Sequence, residues 1–136
     1  MGTMIQKLSL TESDFRGSKF SDFPYDLKGN NDILCLTKPD AIKNIHYQYL
    51  AAGADIIETN TFNANSISQS DYNTQNFVYE VNLNAAKIAK EIAVDFTKKN
   101  PDKPRFVAGA IGPTNKTASI SPDVNRPGYR SAYFDD

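Results

Sequence analysis

Apolar residues recur at helical spacing along the segment "TKPDAIKNIHYQYLAAGAD". Thr37 and Asp40 fit a T-x-x-D capping box, and Pro39 falls in the first turn. Gly53 can adopt the left-handed conformation that ends many helices. The spacing therefore predicts a helix that begins near Thr37 and ends at Gly53. The predicted apolar face consists of Ile42, Ile45, Tyr49 and Ala52.

A longer helical period runs from about Gln75 to Lys99. Asn100 and Pro101 end it, because proline cannot continue a helix. The polar residues 63–74 before it predict a short helix or a loop. The apolar positions of the long helix are Val78, Val81, Ala85, Ile88, Ile92 and Phe96, with Ala89 and Ala93 between them.

Each predicted helix is followed by a short apolar run that is typical of a strand. The run "ADIIET" follows the first helix, and "RFVAGA", centred on Phe106–Ala108, follows the second. The order helix, strand, helix, strand over residues 37–111 indicates an α/β fold with parallel strands. Because such strands are buried on both faces, we expect helices or further segments to cover each side of the sheet.

The segments on either side of this core are irregular. Residues 1–31 mix charges, glycine and proline with more aromatic residues than a disordered tail carries, which predicts an ordered wrap with packed rings. The segment "DILCL", residues 32–36, fits either a short strand or a part of that wrap. Residues 112–136 are polar and predict a loop.

Polar side chains cluster where each predicted strand ends. Glu58, Asn60 and Thr61 lie in "ETNT", and Thr114 and Asn115 lie in "GPTN". Functional groups of α/β folds collect at the carboxyl ends of parallel strands, so these residues are candidates for binding a small polar ligand. The alternative is ordinary turn chemistry, with Glu58 held in an ion pair.

Composition narrows the classes of function. The net charge of −1 and the scattered basic residues argue against nucleic-acid binding. No apolar run reaches the roughly 20 residues of a membrane span, and the start lacks a secretory signal, so we expect a cytoplasmic protein. The only cysteine, Cys35, is predicted to be a buried apolar side chain. The only histidine, His46, is predicted to be a packed or surface residue of a helix. The sequence contains neither the phosphate-binding loop G-x-x-x-x-G-K-S/T nor the dinucleotide-binding motif G-x-G-x-x-G.

Long motifs give the sequence a more specific resemblance. The motifs are "MGTMIQ", "DFRG", "DLKGNNDIL", "KPDAI", "AGADIIETNTFNAN", "EVNLNAAKIAKE", "VAGAIGPTNKTASISPDVN" and "RPGYR". In this order they resemble the homocysteine-binding N-terminal module of cobalamin-dependent methionine synthases. The resemblance covers essentially the whole chain and implies a partial (β/α)8 TIM-type barrel, about the first three βα units.

The resemblance also implies a chemistry. In that family, zinc held by three cysteines activates the homocysteine thiol, which takes a methyl group from methylcobalamin to give methionine. Methyltetrahydrofolate remethylates the cobalamin on a separate module. The implied partners are therefore homocysteine and the cobalamin and folate modules of a parent enzyme.

The chain departs from the family pattern in three ways. It is shorter than the roughly 250 residues of a complete barrel. It lacks the late zinc-binding cysteines, and it lacks the Asp-Gly-Ala segment that precedes "MGTM" in the family. We therefore expect residues 1–136 to be a fragment of the barrel domain that binds no cofactor of its own and is inactive alone.

The resemblance assigns family roles only to residues in the wall of the substrate pocket. Met1, Gly2 and Thr3 match the loop near the substrate carboxylate, the "ETNT" residues match the end of the second barrel strand, and Gly112, Pro113 and Thr114 match the end of the third. No residue matches a catalytic acid, base or nucleophile. Two alternatives stay open: a non-catalytic module that associates with itself or a partner through exposed strand edges, and an independent small α/β binding protein.

Overall fold

Helices pack on one side of a two-stranded parallel sheet in the computed structural model, which describes residues 1–116 and 121–131. Short 3-10 turns at Asn31–Ile33, Ser70–Tyr72 and Gln75–Phe77 connect the longer elements. The helices and strands are α1 (Gly2–Gln6), α2 (Glu12–Arg16), α3 (Leu34–Thr37), α4 (Pro39–Ala51), β1 (Ile56–Glu58), α5 (Ser66–Gln69), α6 (Val78–Lys99) and β2 (Phe106–Ala108).

The two strands pair in parallel, as the helix–strand alternation predicts. Ile57 lies opposite Val107 in the register, and both side chains turn toward α4 and α6. The other face of the sheet is open, since Ile56 is 60% exposed and Phe106 is 57% exposed. The expectation of strands buried on both faces is therefore wrong for the described chain, because no element lies over this second face.

Helix α4 begins later than the sequence predicts. Thr37 ends α3, its hydroxyl donates to the carbonyl of Ile33 at 3.4 Å, and no capping box forms with Asp40. Pro39 does lie in the first turn. The buried face also differs from the prediction, since Tyr49 and Ala52 are exposed and the helix packs on α6 through other positions. Its buried residues are Ile42, Ile45, His46 and Leu50.

Gly53 ends α4 as predicted, with φ at +103°. The N–H groups of Gly53 and Ala54 donate to the carbonyls of Leu50 and Tyr49 at 3.0 and 3.1 Å. This pair of bonds is a Schellman motif, which satisfies carbonyls that the end of the helix leaves open.

Helix α6 confirms the longer predicted period. Val81, Ala85, Ala89, Ile92 and Ala93 are buried, and the helix ends at Lys99. It packs against α4 and β2, so the two predicted helices and the sheet share one core region. No helix among residues 1–116 and 121–131 is both long and apolar enough to cross a bilayer.

The N-terminal segment packs as predicted but is partly helical. Phe15 and Phe20 are buried, and the Phe20 ring meets the edge of Phe77 at a centroid distance of 4.9 Å. Tyr25, by contrast, is exposed. The strand alternative for residues 32–36 is wrong, because this stretch continues from a 3-10 turn into α3. Residues 112–116 and 121–131 contain no helix or strand, and the rest of the predicted polar loop lies outside the described residues.

The capping box occurs instead at Thr11, where "TESD" repeats the T-x-x-D pattern. Asp14 Oδ2 accepts the Thr11 backbone N–H at 2.8 Å, and the Thr11 side chain in turn accepts from the backbone N–H of Asp14. We expect Thr11→Ala to lower the free energy of unfolding by about 1 kcal/mol. The matched control Thr37→Ala should change it by less, since Thr37 caps no helix. Urea denaturation of both variants measures the difference, and equal losses would contradict this assignment.

Candidate functional site

The carboxyl ends of β1 and β2 surround a cavity of about 250 Å³. The first turn of α1, the 3-10 turn at Asn31–Ile33 and the segment after β1 complete its wall. The residues that matter for its chemistry are Met1, Gly2, Asp32, Glu58, Asn60 and Ala110.

The structure brings half of the sequence-predicted residues to this cavity. Met1, Gly2, Glu58 and Asn60 line it. The other predicted residues, Thr3, Thr61, Gly112 and Thr114, are not among its lining residues.

Those four residues have other surroundings. Thr3 is exposed on α1, and the Gly112 N–H donates to the carbonyl of Phe62 at 2.8 Å. Exposed Thr114 makes weak hydrogen bonds with the backbone of Lys116. Asn115 and Pro113 line a different polar cavity of about 250 Å³.

Two threonine hydroxyls tie the strand ends together. The Ala110 N–H donates to Thr59 Oγ1 at 3.0 Å, Thr59 and Thr61 share a hydrogen bond of 2.7 Å, and the Thr61 hydroxyl donates to the Ala110 carbonyl at 2.8 Å. Since Thr61 donates to that carbonyl, Thr59 donates to Thr61. These buried hydroxyls therefore fix the sheet end, which is the turn-chemistry interpretation for this pair.

The amide of Asn60 shapes the floor of the cavity. Its Nδ2 donates to the carbonyl of Asn31 at 2.8 Å and lies 3.6 Å from Cys35 Sγ. The Cys35 thiol donates in turn to the Asn60 carbonyl at 3.6 Å. Burial raises the pKa of that thiol to about 12, so it is protonated and packs as a small apolar group, as the sequence predicts.

Glu58 is exposed at the rim of the cavity. No ion pair within 4.0 Å joins it to a cation in the described part of the chain. The alternative in which Glu58 is held in an ion pair therefore has no support here. Its carboxylate is free to meet a ligand or solvent.

Asp32 is the residue of the site that the sequence analysis missed. It is 2% exposed, and its Oδ1 accepts the N–H of Asn63 at 3.0 Å. Burial raises the pKa of its carboxyl to about 6, against the lowering effect of the Asn63 N–H. A signal was available, since an aspartate inside the apolar run "NDILCL" must find a partner or a ligand if that run is buried.

His46 lies beside a neighbouring cavity of about 300 Å³ between α4 and β1. Its side chain is packed, as the sequence predicts, at 1% exposed. Nε2 has no hydrogen-bond partner among the described residues. Burial lowers the pKa of the imidazole to about 4, with a smaller effect from the positive chain terminus, so the ring is neutral at pH 7. Nothing places it against a nucleophile.

The side chains of the described residues do not assemble a metal site. Within residues 1–116 and 121–131, no group of three or more His, Cys, Asp or Glu side chains is close enough to hold a metal ion. Cys35 and His46 are the only cysteine and histidine in the sequence, and both are buried. A protonated thiol is a poor zinc ligand, because zinc binds the thiolate.

Comparison with known proteins links this arrangement to a family. The family model described as homocysteine S-methyltransferase matches residues 1–136. Among solved structures, the chain is similar to the homocysteine methyltransferase MmuM from Escherichia coli in its metallated form, with a TM-score of 0.58 and 18% identity. That match covers 83% of this chain and 35% of the MmuM chain, so this chain spans about a third of that protein. At this identity, the similarity describes the fold.

Proposed function

The chain belongs to the homocysteine S-methyltransferase family, and on that premise we propose that it forms part of the homocysteine pocket of a methyltransferase. The observation that carries the proposal is the cavity at the ends of the two parallel strands, where Glu58 and Asn60 meet the first turn of α1. Ligands of α/β enzymes bind at this end of a parallel sheet.

The sequence motifs support a more specific assignment of the parent enzyme within the family. We propose that the parent enzyme is a cobalamin-dependent methionine synthase, in which zinc-activated homocysteine takes a methyl group from methylcobalamin that 5-methyltetrahydrofolate recharges. The long motif "GPTNKTASISPDV" and the "DFRG…DLKGNNDIL" segment support this type within the family. A partial (β/α)8 barrel of about three βα units and a cytoplasmic location belong to the same proposal.

The residues of this chain do not fit zinc. Zinc in such an enzyme is held by thiolates, and here the single thiol is buried, protonated and bonded to Asn60. The zinc and cobalamin chemistry therefore has to come from segments other than those described. We propose that residues 1–136 alone bind homocysteine weakly and do not turn it over.

The proposed roles of the pocket residues differ in kind. The backbone of Met1, Gly2 and Thr3 would face the substrate carboxylate, and Glu58 and Asn60 would form the wall beside it. The three further predicted residues, Thr61, Gly112 and Thr114, lie outside the cavity lining and would act through the backbone that they hold in place. None of these residues transfers a proton in the proposed reaction.

Homocysteine binding tests the proposal directly. We expect L-homocysteine to shift the amide NMR signals of Gly2, Glu58 and Asn60 in the purified 136-residue chain. Glu58→Gln should weaken the response, since it removes a rim charge. Asp22→Asn is the control and should leave it unchanged, because Asp22 is exposed and is not among the residues that line the cavity.

Two outcomes would contradict this proposal. Shifts no larger at the strand ends than elsewhere would remove the homocysteine pocket. Stoichiometric zinc together with methyl transfer from methylcobalamin would overturn the inactivity of the isolated chain.

A second candidate is a non-catalytic module that associates with itself or a partner. The open face of the sheet favours it, as does a groove of about 680 Å³ beside β2 that Leu83, Val94 and Phe106 line. Exposed strand edges invite further pairing. Sedimentation equilibrium of the NMR sample distinguishes the candidates, since a monomer at all concentrations speaks against this one.

A further inference from the structure

The carboxylate of Asp32 is buried at the wall of the strand-end cavity, and no described residue supplies a counter-ion. It is 2% exposed, and its hydrogen bond from another residue is the one that the neutral N–H of Asn63 donates. No ion pair within 4.0 Å includes Asp32 anywhere in the described ranges. Met1 lines the same cavity, and its amino group does not approach the Asp32 carboxylate within that distance.

Such a carboxylate is unfavourable as it stands. Removing an ionised carboxylate from water costs several kcal/mol in proteins, and the neutral backbone N–H groups of Asn63 and of Asp32 itself offset only a part of that cost. The raised pKa, about 6, reports the same imbalance and still leaves the group ionised at pH 7. A cationic group of a ligand that entered the cavity would restore the balance.

The surroundings select the kind of cation. No lysine or arginine of the described residues lines the cavity, and the Met1 amino group forms no ion pair with Asp32, so a ligand has to bring the cation that pairs with this carboxylate. Glu58 adds a second carboxylate at the rim, and Asn31 and Asn63 add polar groups to the wall. An ammonium group donates three hydrogen bonds and can divide them among such acceptors. The volume of about 250 Å³ suits a small molecule.

We propose that Asp32 binds the ammonium group of an amino-acid substrate in this cavity. The proposal rests on the proposed function in taking homocysteine as that substrate. It assigns a role that neither the strand-end motifs nor the family resemblance gives to this residue.

A purely structural role for Asp32 makes a different prediction. In that case its carboxylate serves only to hold the N–H of Asn63 and the segment after β1. Asp32→Asn separates the two roles, because an amide oxygen can still accept from Asn63 but carries no charge. Asp22→Asn is the matched control, since Asp22 is exposed and is not among the residues that line the cavity.

The experiment titrates three small ligands into the full chain and follows the binding of each by NMR. L-homocysteine carries both end groups, 3-mercaptopropylamine lacks the carboxylate, and 4-mercaptobutanoate lacks the ammonium group. We expect Asp32→Asn to weaken the two amines on the order of ten- to a hundredfold, the range for hydrogen bonds to charged groups. It should leave 4-mercaptobutanoate unchanged, and Asp22→Asn should change none of the three.

The outcomes separate this proposal from the proposed function. If homocysteine binds and Asp32→Asn weakens no ligand, or all three equally, the role of Asp32 is overturned and the homocysteine pocket stands. If only 3-mercaptopropylamine binds and its binding needs Asp32, the ammonium site stands and the homocysteine pocket fails. If no probe binds the wild-type chain, both fail.

A measurement on the wild-type chain covers the case in which Asp32→Asn fails to fold. The ¹³C signal of the Asp32 carboxyl is followed against pH with and without 3-mercaptopropylamine. Direct binding of the ammonium group should lower the pKa of Asp32, because a nearby cation favours the ionised carboxylate. An unchanged pKa at saturating amine would overturn the proposal.

Discussion

Replacing Asp32 by Asn should stabilise the folded chain at pH 7 by about 3 kcal/mol. The pKa of Asp32 rises from its ordinary value of 3.8 to about 6 on folding. Between these values the folded form keeps the proton that the unfolded form has lost. The free energy of unfolding therefore falls as the pH rises from about 4 to about 6, and the loss is complete above the folded pKa.

Urea denaturation at several pH values between 4 and 7 checks this expectation. The gain from Asp32→Asn should be small at pH 4 and largest above pH 6, and Asp22→Asn is the control for the same substitution at an exposed position outside the cavity lining. A variant less stable than the wild type at pH 7 would show that the charged carboxylate is favourable in the folded chain and would contradict this expectation. Such a result would also weaken the case for a cation-binding role.

Replacing His46 by Leu should remove a loss of stability that the wild-type chain suffers in acid. The pKa of His46 falls from 6.5 to about 4 on folding, mainly because of burial. As the pH falls through 6.5, the unfolded chain takes up a proton that the folded chain refuses. Stability is thus fully present above the unfolded pKa and declines toward pH 4 by about 3 kcal/mol.

The variant isolates this effect because leucine fills a similar space without a titrating group. We expect His46→Leu to exceed the wild type in stability most clearly near pH 4. At pH 7 it should also be no less stable, since Nε2 has no partner to lose. Equal dependence of both proteins on pH between 4 and 6.5 would contradict the neutral buried imidazole.

The two titrations oppose each other over the same range of pH. Asp32 destabilises the fold as the pH rises from 4 to 6, and His46 destabilises it as the pH falls through that range. In the wild-type chain these contributions largely cancel. Each variant should therefore reveal the slope that the other residue imposes, which makes the pair a stringent test of both assignments.

Periodicity was sufficient to predict α6 and both strands. In α6, packing and period agree from Val81 to Ala93. The start of α4 was not predictable in this way, because "TKPD" and "TESD" carry the same capping pattern. Only tertiary packing decides between them: Thr37 continues from the buried turn of α3, whereas Thr11 is free to cap α2.

The location of the polar residues at the strand ends was predictable from the sequence, but the contacts that they make were not. The sequence could not show that Thr61 turns to the Ala110 carbonyl while Glu58 stays at the rim, since the first contact joins residues 49 positions apart. Asp32 was missed for a similar reason. Its partner Asn63 follows a different element, and the run around it fits a strand as well as a turn.

The single buried thiol has a consequence for measuring how this molecule opens. Cys35 is 2% exposed with a pKa of about 12, so a thiol-specific reagent in neutral solution meets no reactive group until the core around α3 separates. The rate of labelling then reports how often that region opens, without an introduced probe. Because Cys35 lies directly behind Asn60, a ligand that fills the strand-end cavity should slow this labelling, and the slowing would measure the coupling between occupancy and opening.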